Sequence, residues 1–142
     1  MSERKFTGAS LVHEAAKRGG AIGAFNVILI EHAEAYSIGA NEAKLPTILQ
    51  ISENAVHYHG SLKPIARACQ AISEDSDVPL SVHLDHAEDE ELIREALDLG
   101  FDSIMFDGSK LDYAANVAKS AELAQLCKKY GASIEVELGE VG

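Results

Sequence analysis

Short apolar runs alternate with longer helix-forming segments along the whole chain, and this alternation limits the fold more than any other property. Ser10 is placed to cap a short helix over 11–18, ended by Gly19-Gly20. Residues 21–27 (AIGAFNV) suit a buried strand, and 30–44, rich in Ala and Glu, suit a helix. The same pair recurs three more times: strand 47–52 (TILQIS) with helix 62–73, strand 80–84 with a helix from Asp89 to Gly100, and strand 103–106 (SIMF) with a long helix to Tyr130. Ser109 with Asp112 resembles a capping box for that last helix, and Lys128, Lys129 and Gly131 suit its C-terminus. A fifth strand, 133–138 (SIEVEL), follows.

Repeated strand–helix units imply right-handed crossovers and a parallel sheet. Two α/β architectures fit: an open doubly wound sheet and a (β/α)8 barrel. The first strand–helix turn, Asn26 to Ile30, lacks the G-x-G-x-x-G phosphate loop of a dinucleotide fold. A barrel needs eight strands and about 250 residues. The 142 residues here supply five strands and close on Gly139-Glu140-Val141-Gly142, with no composition shift to mark a second domain. The expectation is therefore that 1–142 is the N-terminal portion of one domain.

The formal net charge is −11, from 23 acidic and 12 basic residues, which disfavours nucleic acid as a partner. No Lys/Arg run or basic amphipathic segment suggests a membrane surface, and no apolar stretch is long enough to span one. The N-terminus, Met1 to Phe6, is polar and charged, unlike a signal peptide. Cys69 and Cys127 lie far apart on apolar helical patterns, as buried free thiols do. A cytoplasmic location is expected.

The sharpest chemical feature is His83-Leu84-Asp85-His86, at the end of the third strand. In parallel α/β folds that end faces the ligand crevice. His83 and Asp85 share a face by the period of two, so His86 reaches the mouth only if the strand is ending there. Asp85 then suits acid/base work and His86 a metal; a solvated, capped strand end is the alternative. Asp107 follows the fourth strand and reads equally as a loop residue or cap. Glu135 and Glu137 alternate on the fifth, and two acids on one face of a buried strand are costly unless paired or metal-bound. Carboxylates at three successive strand ends, beside histidines, resemble a cation site. His13 and His32 read as helix-surface residues, and His57 and His59 as part of a solvated loop after the second strand. Asn26 and Ser52 end the first two strands, as turn or cap residues or as donors to a substrate.

At these residues the chain resembles the class II fructose-bisphosphate/tagatose-bisphosphate aldolase family. PLSVHLDHA at 79–87 is similar to that family's first signature, and IEVELGEVG at 134–142 to the start of its second. AFNV at 24–27, QIS at 50–52 and GFDSIMFDGS at 100–109 fall in the same order. Relatives often carry polar residues where Ile28-Leu29 stand and a Gly-Ala type sequence where Asn54-Ala55-Val56 stand. The resemblance implies a (β/α)8 barrel, of which this chain holds about five strands. It implies an aldehyde-lyase that cleaves a ketose 1,6-bisphosphate with zinc as a Lewis acid, and a second divalent or a monovalent cation beside it. It gives His86 the place of a zinc ligand, Asp85 that of the acid/base, Asp107 and Glu137 those of further metal-binding carboxylates, and Asn26 and Ser52 those of substrate contacts. It further implies a sugar-phosphate substrate, a C-terminal part carrying the other zinc histidines, a dimer or tetramer, and little activity for these residues alone. A different metal-dependent barrel lyase and a non-catalytic, sugar-phosphate-binding half-barrel are the alternatives.

Overall fold

The computed structural model describes residues 6–139. The polar start of the chain, 1–5, and the last three residues of the second signature segment, 140–142, lie outside the described residues. The elements run α1 (Gly8–Lys17), β1 (Gly23–Asn26), α2 (Ile30–Ala43), β2 (Thr47–Ser52), α3 (Glu53–His59), α4 (Lys63–Asp75), β3 (Leu80–Ala87), α5 (Glu90–Asp98), β4 (Ser103–Asp107), α6 (Tyr113–Tyr130) and β5 (Ser133–Glu137).

All strand pairs are parallel, and their order in the sheet is β1-β2-β3-β4-β5. This order decides between the two architectures. A doubly wound sheet reverses direction at a switch point and places helices on both faces. Here each strand lies beside its predecessor, so right-handed crossovers put every connecting helix on one face. The result is the first five strands of a (β/α)8 barrel, joined by four helical crossovers.

One apolar core lies between sheet and helices. Leu49, Ile51, Leu80, Val82, Leu84, Ala87, Ile104 and Phe106 pack there against Ala33 of α2, Cys69 of α4, Ile93 of α5 and Leu123 of α6. The opposite, concave face is polar: Gln50, Ser81, His83, Asp85 and Ser103. α1 lies against its lower part. Gly8 donates its N–H to Asp102 Oδ1 at 3.1 Å, and a Cβ at Gly8 would stand 2.9 Å from Ser103 Cβ. Only a residue without a side chain lets the helix approach this closely. α1 thus covers the N-terminal side of the sheet and leaves the C-terminal rim as the mouth.

Several local expectations change. The cap of α1 is Thr7, whose hydroxyl accepts from Ser10 N, with Ser10 answering as the third residue of a capping box. Asp112 alone caps α6, and Gly131 ends it in the left-handed conformation. The stretch after β2, expected as a loop, is the seven-residue helix α3. Ser52 caps it, Glu53 sits in its first turn and Gly60 closes it at φ 74°. These signals are legible in the sequence, but the helix buries only Ala55 and Val56 and so shows no apolar stripe. On β5, the last strand of the described sheet, Glu135 is exposed and Glu137 half-buried. Among the described residues, no helix is long and apolar enough to cross a membrane.

Candidate metal centre and its buried neighbours

The strand register brings the polar strand ends to one rim. Ser52 stands beside Asp85, and Asp107 beside Glu137. Asn26 pairs with Gln50, which pairs with His83, so it lies two positions below Ser52.

His86 reaches this rim through a β-bulge. Leu84 pairs with Ile104 and Ala87 with Phe106, so three steps on β3 oppose two on β4. The extra residue lets Asp85 and His86 both face away from the helices, while Ala87 returns to the core at 0% exposure. The strand does not end at Leu84, as expected; it continues through the motif with one residue out of step. His86 carries the turn with φ 48°, a left-handed conformation that costs a residue with a side chain about 1–2 kcal/mol.

The bulge places His86 Nδ1 3.1 Å from Asp107 Oδ2 and 3.3 Å from Glu137 Oε2. One ligand atom from each of the three lies within 4.8 Å of the others. Glu137 Oε2 is buried and, among the described residues, accepts no hydrogen bond, its contact with His86 being an ion pair alone. A buried carboxylate oxygen left in this state is costly, and a cation would remove the cost. One imidazole nitrogen and two carboxylates suit zinc or a harder divalent ion. The residues therefore fit a divalent cation, with positions left for further ligands.

Neighbouring groups orient these donors. Ser109 donates from its backbone N (3.0 Å) and its hydroxyl (2.5 Å) to Asp107 Oδ1, which leaves Oδ2 for His86. Asn116, 2% exposed, donates to the carbonyls of Gly108 and Glu137 at 2.8 and 2.7 Å and ties the ends of β4 and β5 together. The hydrogen bond to Asp107 holds the His86 imidazole above its ordinary value, against the opposing effect of burial, and the charges of Asp85 and Glu137 add to it. Burial would raise the Asp107 carboxyl, but the Ser109 hydrogen bonds and His86 outweigh it and hold the group low. The imidazole thus tends to carry a proton that a metal at Nδ1 would displace.

Asp85 and His83 form a separate buried layer beneath the rim. Asp85 is 5% exposed, and its Oδ1 accepts from Gln50 Nε2 at 3.0 Å. Burial raises its carboxyl, opposed by the positive charge of His86 and reinforced by Glu135 and Glu137. His83 Nδ1 lies 2.7 Å from Ser103 Oγ, and its Nε2 lies 3.8 Å from Asp85 Oδ1. Burial, helped by His86, pulls His83 down to about 4, so it is neutral at pH 7 and makes no ion pair with Asp85. The sequence marks none of Gln50, Ser103 and Asn116 as a site residue, and it marks Ser109 only as a helix cap. Only Gln50, polar in mid-strand, offered a signal there.

A stability prediction follows from His83. The unfolded chain takes up a proton near pH 6.5, and the folded chain only near 4. Stability is therefore present above pH 6.5 and falls as pH drops toward 4, by roughly 3 kcal/mol. Urea unfolding of wild type and His83→Gln at pH 7 and pH 4 measures this. The difference between the two proteins should move by about that amount in favour of the variant at the lower pH.

Two of the other histidines, His32 and His59, brace the first mouth loop. His32 Nδ1 accepts from Ile28 N and Leu29 N at 3.3 and 3.4 Å, and His59 Nε2 lies 2.5 Å from Ile28 O. His59 thus ties α3 to the β1–α2 connection. Both cysteines are buried free thiols, and burial pushes Cys69 up to about 12.

Five sequential parallel strands with an imidazole and two carboxylates at their C-terminal rim define an α/β-barrel protein with a candidate cation site. The chain belongs to the class II fructose-bisphosphate aldolase family, whose profile matches residues 7–142. It is 35% identical over 134 residues to the fructose-bisphosphate aldolase of Geobacillus stearothermophilus, covering 93% of this chain and 47% of that one. It is 37% identical over 134 residues to the 6-phospho-5-dehydro-2-deoxy-D-gluconate aldolase of Bacillus subtilis, covering 93% and 46%. The crystal structure of the YdjI aldolase from Escherichia coli K12 superposes with a TM-score of 0.84 at 27% identity, over 92% of this chain and 50% of that one. The chain spans about half the length of the curated relatives it matches. Its family is one of metal-dependent lyases.

Proposed function

We propose that residues 1–142 are the N-terminal portion of a single barrel domain, and that the assembled domain catalyses reversible, metal-dependent aldol cleavage of a ketose 1,6-bisphosphate, fructose or tagatose, to dihydroxyacetone phosphate and glyceraldehyde 3-phosphate. The observation that carries this reading is the bulge at His86, which turns the imidazole onto Asp107 and Glu137 while Asp85 stays buried beside it. His86, Asp107 and Glu137 would hold zinc, with room for a second divalent or a monovalent cation among the same carboxylates. When bound, the metal supplies Lewis-acid polarisation of the substrate carbonyl.

The chain's own residues do the rest. Asp85 exchanges a proton with the hydroxyl at the carbon–carbon bond being made or broken. Its burial keeps its proton affinity above that of a solvated carboxylate, which suits a group that must both give and take one. Gln50 fixes the orientation of Oδ1. Neutral His83 adds no charge that would bias the proton. Ser52, in register with Asp85, and Asn26, lower on the rim, are the proposed substrate contacts. The remaining β/α units would bring further zinc ligands and the phosphate sites.

The aldolase reading supports a dimer or tetramer as the working form and a cytoplasmic setting. A relative named for a phosphorylated deoxy-keto sugar acid favours one second reading, the same cleavage on that substrate class. A coupled assay tests these points. These 142 residues with zinc should not turn over fructose bisphosphate, whereas the same residues assembled with the complementary β/α units should. Turnover by the 142 residues alone would refute the assignment of missing ligands. A preference for the keto sugar acid would select the second reading.

A further inference from the structure

We propose that Glu53 is a positioning residue that fixes the His86 turn by holding the backbone of the β3–α5 connection. Glu53 opens α3, and its side chain is only 15% exposed. Its Oε2 accepts from two consecutive amides, Glu88 N at 2.7 Å and Asp89 N at 3.1 Å. The first of these follows His86 by two residues. Two amide donors on one carboxylate oxygen form strong, charge-assisted bonds. His57 Nε2, 3.7 Å from the other oxygen, is too far to replace them.

The turn needs such support. His86 occupies a left-handed conformation that an unconstrained residue would leave for the extended region. Relaxation to a regular strand would carry its imidazole toward the helix side, by the period of two. Three anchors on the residues after His86 oppose this. Ala87 is locked in the core, Lys110 Nζ reaches Glu88 Oε1 at 2.6 Å, and Glu53 clamps the amides of Glu88 and Asp89. The Lys110 pair is solvent-exposed and of little worth, so Glu53 is the polar anchor that matters. Asp89 then caps α5 by accepting from Glu91 N, so the same clamp sets where that helix starts.

This inference rests on the reading of His86 as a metal ligand, and its test keeps the two apart. Zn2+ affinity is measured by competition with a chromogenic chelator in the assembled protein, for wild type, Glu53→Ala, Glu53→Gln, Glu53→Asp and His86→Ala. Amide hydrogen exchange at Glu88 and Asp89 is measured without metal. Glu53→Ala should weaken Zn2+ about tenfold, as loss of an orienting group does, and speed exchange at both amides. Glu53→Gln should stay within about threefold of wild type, because one carbonyl oxygen accepts both bonds. Glu53→Asp keeps the charge but falls a methylene short, so it should behave like Glu53→Ala and serves if that variant does not fold. Wild-type affinity in Glu53→Asp, or a loss in Glu53→Gln as large as in Glu53→Ala, overturns the proposal. Wild-type affinity in His86→Ala overturns instead the reading on which it rests.

Discussion

Replacing Asp85 with Asn in the assembled protein is expected to lower turnover of the bisphosphate by about three orders of magnitude, in the range that a positioned acid/base contributes, with bound metal unchanged. The reasoning is local. Asn has the same shape, and its carbonyl oxygen can still accept from Gln50 Nε2. It adds no charge to the rim, and the rim donors His86, Asp107 and Glu137 stay in place. What it loses is the ability to hold and release a proton at the oxygen it presents. Turnover measured beside metal content separates this loss from a loss of metal. A variant that turns over like wild type would remove Asp85 from the mechanism, however well it sits in the fold.

The buried surroundings of Asp85 are also where the sequence said most and least. The run of apolar residues before it was enough to place a strand, and the polar residues after it enough to mark a functional end. The concave face was legible as a period of two through His83 and Asp85. The bulge was not. A regular strand that continues to Ala87 sends His86 toward the helices, and no residue in His83-Leu84-Asp85-His86 announces an extra step such as a glycine would. The insertion shows only when β3 is laid against β4, where Leu84 and Ala87 meet Ile104 and Phe106. It is a fact of pairing between distant segments, which local patterns do not carry.

The same limit explains the choice of architecture. Strand–helix alternation fixes a parallel sheet but not the order of its strands, because the hydrophobic pattern of a strand is the same beside either neighbour. The sequential order was decided by long-range packing. Conversely, α3 is legible in its caps, Ser52 and Gly60, but a helix this short carries no apolar stripe. Glu53 and Asn116 show a third case. Each acts on backbone groups of another element, and a polar side chain that holds a distant amide or carbonyl looks in sequence like any surface residue.

Replacing His86 with Ala should weaken Zn2+ binding by on the order of a hundredfold, and turnover should fall with it. Structural zinc sites gain roughly 10–16 kcal/mol from about four ligands, so one ligand is worth about 3 kcal/mol, or two factors of ten. The histidine is also a cationic partner of both rim carboxylates. With it gone, Asp107 Oδ2 and Glu137 Oε2, which stood 3.1 and 3.3 Å from Nδ1, face each other without compensation. The metal-free variant should therefore gain nothing from losing the side chain of a strained residue, because Ala at φ 48° bears the same backbone cost. Calorimetric titration with Zn2+, alongside thermal unfolding without metal, tests both halves. Affinity that survives the substitution would mean that the cation sits elsewhere, and that the bulge serves the packing of β3 against β4 rather than the rim.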